Sequence, residues 1–477
     1  MTSYTDLGLF IDGEWSGGSQ TVPVLNPATE EVLGHLPLAT VADLDRAVAA
    51  AVKGFAVWRS MPVDQRVAIL HKAADLLASR ADRVGRIMTL EQGKPFKEAR
   101  GEALRVANTL RWDADDARRA YGRIIPSADD TVLSVRHEPV GPVAAFTPWN
   151  FPAGGPMRKI AAALSAGCSI VIKASEETPG TACELVRCFV EAGVPHGVLN
   201  LVFGDPAEVS RHLIAEPEIR LVAFTGSIPV GKLLAAQAGS EMKPSLMELG
   251  GHAPVIVCAD ADPVVAARKA AFAKFVNAGQ VCTSPSRFLV HEDVYDEFVT
   301  EFVAAADRVV VGDGLDDGVT MGPLANPRRL KAMEEMVSDA VSRGAQLVRG
   351  GERIDRAGFF FAPTVLTGVP ADALVMTEEP FGPIAPIVPF RDLDAALATA
   401  NSLPYGLAAY GFTRSSSTAE RLIRGFEAGI LSINHCGGSV SEAPSGGVKQ
   451  SGYGKEGGPE GLEGYLVTKR VSHLLAD

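Results

Sequence analysis

The chain has no long hydrophobic run and no basic cluster, and these two absences exclude several classes of protein. None of its 477 residues belongs to an apolar stretch of about 18 residues, so the sequence predicts no transmembrane helix. Lysine and arginine number 45 against 57 acidic residues, which gives a net charge of −12, and they form no stripe that could follow a phosphate backbone. The segment from Met1 to Trp15 shows no basic leader followed by an apolar core. We therefore expect a cytoplasmic protein with neither a nucleic-acid nor a membrane partner.

Cysteine is scarce, and its spacing argues against both a zinc site and a disulfide framework. No two of the six cysteines have C-x-x-C spacing. The default expectation for each is a reduced, buried thiol. The cysteines are Cys168, Cys183, Cys188, Cys258, Cys282 and Cys436.

The chain is rich in apolar residues, and their periodicity predicts an α/β protein. With 47% hydrophobic residues, it has enough material for two or three domains. Helical spacing predicts amphipathic helices in the first third, at Val41–Trp58, Asp64–Ala81 and Lys97–Tyr121. From Ser169 onward, short β-rich runs alternate with helical stretches, which is typical of βαβ units and a parallel sheet. The predicted strands are Ser169–Lys173, Val198–Val202, Leu221–Phe224 and Val255–Val257, and the helices are Thr181–Ala192, Ala207–Ala215 and Val230–Ala238.

A second alternating region follows Cys282 and predicts another α/β unit, with a strand at Arg287–His291 and helices near Tyr295–Val309 and Pro327–Arg343. Two further segments, Thr131–His137 and Tyr465–Val471, alternate like exposed strands. Unpaired edge strands of this kind invite pairing with another subunit.

Two segments carry residue types suited to acyl chemistry. Cys282 follows a predicted helix in Asn-Ala-Gly-Gln-Val-Cys, beside small residues that leave room for a substrate. A thiol of ordinary pKa needs local activation to act as a nucleophile, and a buried, inert cysteine is the alternative. Glu248 ends a β-like run between Met247 and Leu249, and apolar neighbours could raise its pKa to that of a general base. The alternative for Glu248 is an ion-paired carboxylate.

Three loops could bind an oxyanion or a nucleotide. Asn150 lies in the rigid turn Pro-Trp-Asn-Phe-Pro and could donate to a developing oxyanion, or it could merely form an Asx-turn. Lys173 and Glu176 leave one predicted strand, and Gly226 and Ser227 leave another. Nucleotide phosphates and riboses bind where parallel strands lead into helix N-termini, although neither segment matches G-x-G-x-x-G.

Taken in order, these segments resemble the aldehyde dehydrogenase superfamily from about Phe10 to Lys469. Further matches are Glu378-Glu379-Pro380-Phe381-Gly382-Pro383, Pro404-Tyr405-Gly406-Leu407, Asn434 and Gly447-Val448-Lys449-Gln450-Ser451-Gly452. The resemblance implies a Rossmann-like NAD-binding domain (1–121 and 141–250), an α/β catalytic domain (251–450) and a small β oligomerisation module (122–140 and 458–477). It also implies a homodimer or homotetramer.

The resemblance assigns roles to particular residues. Cys282 would be the nucleophile, Glu248 the general base, and Asn150 with the backbone N–H of Cys282 the oxyanion donors. The cofactor would be held by Trp149, Lys173, Glu176, Gly226, Ser227, Glu379 and Phe381. The acidic Glu176 would repel a 2′-phosphate, so NAD is favoured over NADP. Relatives that pass the acyl group to coenzyme A usually lack the glutamate at position 248, so its presence implies hydrolysis of the thioester.

Within the superfamily, the chain looks most similar to succinate-semialdehyde and 2-oxoglutarate-semialdehyde dehydrogenases. Arg158 stands where those enzymes direct an arginine at the distal carboxylate of the substrate, and an ion pair within the protein is the alternative. Val276 replaces a second arginine and Ser445 replaces a phenylalanine, so we expect a wider and more polar pocket. Ser284 occupies the position of a second cysteine in some relatives, so no disulfide is expected there. Other expected substrate contacts are Phe151, Ser439 and His435.

The interpretation that follows is NAD-dependent oxidation of a polar or anionic semialdehyde. A bulkier aromatic, sugar-derived or amino-aldehyde is an alternative substrate. A nucleotide-binding scaffold without catalysis is an alternative of a different class, and it is disfavoured because the nucleophile, base and oxyanion positions all carry suitable residues.

Overall fold

Strands and helices alternate along most of the chain in a computed structural model, which describes residues 4–128, 130–437 and 440–475. The strands are β1 (Leu9–Ile11), β2 (Glu14–Ser16), β3 (Thr21–Leu25), β4 (Val32–Pro37), β5 (Arg123–Ile125), β6 (Thr131–Pro139), β7 (Val143–Phe146), β8 (Ile170–Lys173), β9 (Leu199–Val202), β10 (Leu221–Gly226), β11 (Ser245–Leu249), β12 (Ala253–Val257), β13 (Pro285–His291), β14 (Gln346–Arg349), β15 (Thr364–Thr367), β16 (Ile384–Phe390), β17 (Ala408–Phe412), β18 (Ile430–Ile433), β19 (Gly452–Tyr453) and β20 (Leu466–Leu474).

The helices are α1 (Val41–Ser60), α2 (Val63–Ser79), α3 (Ala81–Gln92), α4 (Phe96–Asp116), α5 (Gly154–Ala166), α6 (Pro179–Ala192), α7 (Pro206–Ala215), α8 (Ile228–Ser240), α9 (Pro263–Phe275), α10 (Glu292–Asp307), α11 (Pro327–Ser342), α12 (Leu374–Thr377), α13 (Leu393–Asn401), α14 (Ser416–Gly425) and α15 (Gly458–Glu463). Short 3-10 turns occur at Ala117–Arg119, Val276–Gly279 and Lys449–Ser451. Among the described residues, no helix is both long and apolar enough to cross a membrane.

The first large sheet has the order β19-β11-β10-β7-β8-β9-β1-β2. Its central strands β11, β10, β7, β8 and β9 are parallel, and β1, β2 and β19 add antiparallel edges. Strands β7, β8 and β9 are buried along their whole length, as expected for a parallel sheet covered by helices on both faces.

The second large sheet has the order β14-β15-β16-β13-β12-β17-β18, and it is parallel except for β14. Phe288 on β13 packs edge-on against Phe302 of α10, with ring centroids 5.0 Å apart. The two sheets have separate cores, so Glu248 at the end of β11 and Ala253 at the start of β12 lie on either side of the junction between them.

A three-stranded sheet of order β20-β6-β5 corrects the prediction of unpaired edge strands. Strand β6 pairs antiparallel with β20 along its whole length, from Thr131 opposite Leu474 to Pro139 opposite Leu466, and it pairs with β5 on its other side. Both alternating segments are strands, but each has a partner in its own chain, so β5 and β20 are the edges. Sequence periodicity identifies strands and does not identify their partners.

The predicted helices and strands are confirmed with small shifts at their ends. Thr40 and Asp43 form a reciprocal capping box that starts α1 where the apolar periodicity begins. The predicted helix Asp64–Ala81 stops at Ser79, and α3 follows it after Arg80. Helix α5 was not predicted, because its run of alanines follows the proline-bracketed turn without a polar cap.

Candidate active site

Parallel strands bring the predicted site residues to one edge of the first sheet. Strand β7 leads into the turn that carries Asn150, β8 ends at Lys173, β10 ends at Gly226, and β11 places Glu248 opposite Thr225 of β10. Ligands of open α/β sheets bind outside the carboxyl ends of the strands. The amino ends of β12, β13 and β16 carry the remaining segments, so the candidate site lies between the two sheets.

The predicted nucleophile lies on a tightly turned loop before β13. Asn277 and Ala278 have φ values of 51° and 52°, in the left-handed region, and the half-buried Cys282 follows them. Gly279 is required here, because a Cβ at that position would lie 2.2 Å from the backbone oxygen of Gly382. Burial raises the pKa of the Cys282 thiol well above its usual range, and the neighbouring Glu248 adds to the rise. The resting thiol is therefore neutral and must lose its proton when it attacks.

Glu248 is a buried carboxyl with the pKa of a neutral-pH base. Burial, with a further contribution from Glu456, raises its pKa to about 7, while Lys159 and Arg158 act in the opposite direction. Within the described part of the chain, its Oε1 atom has no hydrogen-bond partner. An orphan buried oxygen of this kind is ordinarily satisfied by water.

Asn150 is buried, and its side chain reaches a distant loop. Its Nδ2 donates to the backbone oxygen of Gln280 at 3.1 Å, two residues before Cys282. The contact spans the two sheets, so this amide does not form the local Asx-turn considered as its alternative.

Lys173 and Glu176 form an ion pair at the end of β8. Lys173 Nζ donates to Glu176 Oε2 at 2.6 Å, and the other carboxylate oxygen accepts the Gly204 N–H at 3.0 Å. On the neighbouring strand, Gly226 ends β10, and the exposed Ser227 precedes α8 without a side-chain cap bond. The N–H groups of Ile228 and Val230 in its first turn are thus available to an anion, whereas Pro229 has none. This donor set fits the ribose and pyrophosphate of a dinucleotide.

Glu379 and Phe381, in the loop before β16, contact residues of two other loops. Glu379 Oε1 accepts the Gly251 N–H at 3.1 Å, and the Trp149 ring lies edge-on to the Phe381 ring with centroids 5.6 Å apart. A Cβ at Gly250 would lie 2.4 Å from Glu379 Oε2, so the approach requires glycine there. Burial raises the pKa of Glu379 to about 7.

The predicted substrate contacts lie in different surroundings from one another. Half-buried Arg158 lies on α5. Burial raises the pKa of Asp113 and of Glu248 to about 7, and the nearby charge of Arg158 opposes that rise in both. The Phe151 ring lies 4.4 Å from Lys94 Nζ.

Ser445 is half-buried and exchanges backbone hydrogen bonds with Glu456 at 2.7 and 2.8 Å. His435 is exposed, and its Nδ1 accepts the Gly437 N–H at 2.9 Å. Ser439 lies outside the described residues. Ser445 is therefore bonded through its backbone to Glu456, whose charge contributes to the raised pKa of Glu248. The ring of His435 instead forms a hydrogen bond within its own turn.

Sequence reasoning missed several buried charged residues around this site. Lys159 and Glu456 form an ion pair beside Glu248, and Lys94 and Glu102 form another beside Asn150. A usable signal existed: Lys159 and Glu102 occupy apolar faces of α5 and α4, where a charge must have a partner.

The profile of the aldehyde dehydrogenase family matches residues 15–471. A putative 4-(hydroxymethyl)benzenesulfonate dehydrogenase of Comamonas testosteroni is 47% identical, covering 98% of each chain. A succinate-semialdehyde dehydrogenase [NADP(+)] of Escherichia coli is 41% identical, covering 96% of each chain. The crystal structure of succinate-semialdehyde dehydrogenase from Burkholderia pseudomallei is 41% identical, with a TM-score of 0.97, and covers 100% of this chain and 99% of its own. The chain has the aldehyde dehydrogenase fold and belongs to the aldehyde dehydrogenase family.

Proposed function

We propose that this enzyme uses NAD to oxidise an aldehyde that carries a distal anionic group, through a thioester on Cys282 that water hydrolyses. The observation that carries the proposal is the meeting of Cys282, Asn150 and a neutral-pH carboxyl, Glu248, between the two sheets. Arg158 supplies the positive charge beside them.

Formation of the tetrahedral centre requires two things of the protein. The Cys282 thiol must give its proton to water in the cleft as the sulfur attacks the carbonyl carbon, because the thiolate is the nucleophile and burial keeps the resting thiol neutral. The alkoxide that forms on attack must find donors already in place. The amide of Asn150 and the backbone N–H of Cys282 are those donors in this proposal.

The cofactor is assigned to the cleft between Ser227 and Glu379. Lys173 and Glu176 would hold the adenosine ribose, Ser227 the pyrophosphate and Glu379 the nicotinamide ribose, with Trp149 and Phe381 alongside. The chemistry that bound NAD supplies is acceptance of a hydride from the tetrahedral centre, which leaves a thioester on Cys282. The fixed negative charge of Glu176 supports NAD over NADP, since a 2′-phosphate would face it.

Glu248 is assigned to hydrolysis of the thioester. Its free oxygen can hold a water, and its pKa of about 7 lets the carboxylate take a proton from that water near neutral pH. Water attack on the thioester carbonyl then releases the carboxylate product and returns the thiol.

The distal anion of the substrate is assigned to Arg158. The two sequence relatives are named for succinate semialdehyde and for 4-(hydroxymethyl)benzenesulfonate. Each of these molecules carries an acidic group remote from the carbon that is oxidised. Val276 and Ser445 are smaller than the arginine and phenylalanine that relatives carry there, which favours a pocket wide enough for an aromatic ring. An aryl aldehyde with a distal sulfonate is therefore the second candidate substrate.

Arg158→Leu tests the anion assignment. We expect kcat/KM for an ω-carboxy or sulfonate aldehyde to fall about 100-fold, the loss of a strong charge-assisted contact, with little change for the neutral analogue of equal length. Arg111→Leu is the matched control, because Arg111 lies on α4 and pairs with the exposed Asp75. An equal loss for charged and neutral aldehydes would refute the clamp.

A further inference from the structure

The turn that carries Asn150 is supported by an ion pair that lies almost entirely out of water. Lys94 Nζ contacts Glu102 Oε2 at 2.6 Å, and the two side chains are only 1% and 2% exposed. Burying two charges is costly unless further hydrogen bonds satisfy them. The remaining contacts of the two side chains therefore show which part of the backbone the pair stabilises.

Both partners bind the backbone of the Asn150 turn. Lys94 Nζ donates to the Asn150 carbonyl oxygen at 2.9 Å. Glu102 Oε1 accepts the N–H groups of Ala153 at 3.0 Å and Gly154 at 2.9 Å. The pair thus binds the turn at both ends, with Lys94 at the carbonyl of Asn150 and Glu102 at the N-terminus of α5.

The same carbonyl links the turn to the loop of the nucleophile. Asn277 Nδ2 donates to the Asn150 oxygen at 2.9 Å, and Asn277 Oδ1 accepts Gln92 Nε2 at 2.9 Å. In return, Asn150 Nδ2 donates to the Gln280 oxygen at 3.1 Å. An asparagine amide has two N–H bonds, so this contact fixes the plane of the amide and leaves the second N–H for another acceptor.

We propose that Lys94 and Glu102 are positioning residues that fix the backbone of Asn150, so that the second N–H of its amide meets the oxyanion formed on the Cys282 adduct. The inference rests on the proposed function, because it assumes that Asn150 is an oxyanion donor. Neither Lys94 nor Glu102 needs to touch the substrate, since each acts through the backbone it binds. A small misplacement of such a donor costs much of its effect on the rate.

A double-mutant cycle on the burst of NADH tests the proposal. Asn150→Ala should slow the burst by about 10²–10³-fold, the usual loss of one oxyanion donor. Lys94→Met should slow it by at least about tenfold in the parent chain and have no further effect in the Asn150→Ala chain, because the donor that it positions is already gone. The dissociation constant of NAD should stay unchanged throughout.

Glu102→Gln keeps the shape and the backbone acceptor while removing the charge, and it provides a milder variant if Lys94→Met does not fold. It should slow the burst in the parent chain and have no further effect in the Asn150→Ala chain. Glu184→Gln is the control, because Glu184 on α6 is a buried carboxylate that pairs with Arg83 of α3 at 2.9 Å. Its burst should match that of the parent.

Three results separate the possible failures. An unchanged burst in both Lys94→Met and Glu102→Gln would overturn the inference, and so would an equal slowing in the parent and Asn150→Ala chains, which indicates a purely structural role. An unchanged burst in Asn150→Ala would overturn the oxyanion assignment itself.

Discussion

Burial disfavours the charged forms of both Cys282 and Glu248. The Cys282 thiol is neutral at rest and gives its proton to water as it attacks, whereas the Glu248 carboxyl becomes a base for hydrolysis only near neutral pH. At the residue scale, the chemistry thus depends on desolvation and on the charges that surround Glu248.

The pKa of Glu248 gives a prediction for pH dependence. Because its raised pKa keeps the carboxyl protonated in acid, breakdown of the thioester should be slow below pH about 7 and rise as the pH passes that value. Lys455 lowers this pKa, so Lys455→Met should shift the rising limb to higher pH. Stopped-flow decay of the acyl-enzyme measures both profiles. A decay rate that is independent of pH, or a limb that moves to lower pH, would contradict the assignment.

Gly250 provides a prediction for cofactor binding. In Gly250→Ala, the new Cβ would lie 2.4 Å from Glu379 Oε2, so the carboxylate must move away from its bond with Gly251. We expect KM for NAD to rise about tenfold, which corresponds to roughly 1.4 kcal/mol of binding. Gly239→Ala on α8 is the matched control, since its Cβ would meet nothing within 4 Å. Equal kinetics for the two variants would disprove a cofactor role for Glu379.

The elements divide into those that periodicity could predict and those that it could not. Amphipathic helices such as α1 and buried strands such as β8 were predicted because each carries its own pattern. The pairing of β6 with β20 joins positions 139 and 466, and no local pattern contains that information. The position of Glu102 on an apolar face signals a buried partner, but no local pattern identifies the turn, more than 40 positions away, that the Lys94 and Glu102 pair binds.

The three-stranded sheet gives a prediction at the scale of elements. Its edges present apolar side chains to solvent, with Ile124 on β5 77% exposed and Leu474 on β20 66% exposed. We propose that these edges join subunits, so Ile124→Lys combined with Leu474→Lys should lower the mass measured by light scattering. Val57→Lys, a half-exposed valine on α1, is the control and should keep the parent mass. If the double variant and the control have the same mass, this sheet does not join subunits.

At the scale of the whole molecule, the site exists because one sheet ends where the other begins. The carboxyl edge of the first sheet supplies Glu248 and the candidate cofactor residues, and the amino edge of the second supplies Cys282 and Glu379. The order of the motifs along the chain was enough to indicate the family and the fold. The substrate could not be derived in the same way, because the charge of Arg158 on α5 is balanced by Asp113 on α4, and no local pattern joins the two.

Cofactor preference is a property of this edge and gives a further prediction. Glu176→Ser removes the charge that would face a 2′-phosphate, so the ratio of kcat/KM for NAD to that for NADP should fall at least about tenfold. Glu218→Ser, at an exposed position before β10, is the control and should leave the ratio unchanged. Steady-state kinetics with both cofactors measure the ratio. An equal ratio in parent and Glu176→Ser would remove the basis for preferring NAD.

The central claim is that the aldehyde carbon becomes bound to Cys282 and is released by Glu248. The most direct measurement is the mass of Glu248→Gln after incubation with an ω-carboxy aldehyde and NAD, followed by mapping of the modified peptide. We expect one NADH per chain and a stable acyl group on Cys282, with neither in the Cys282→Ala chain. Undiminished turnover of Glu248→Gln, or an acyl group on any other residue, would contradict it.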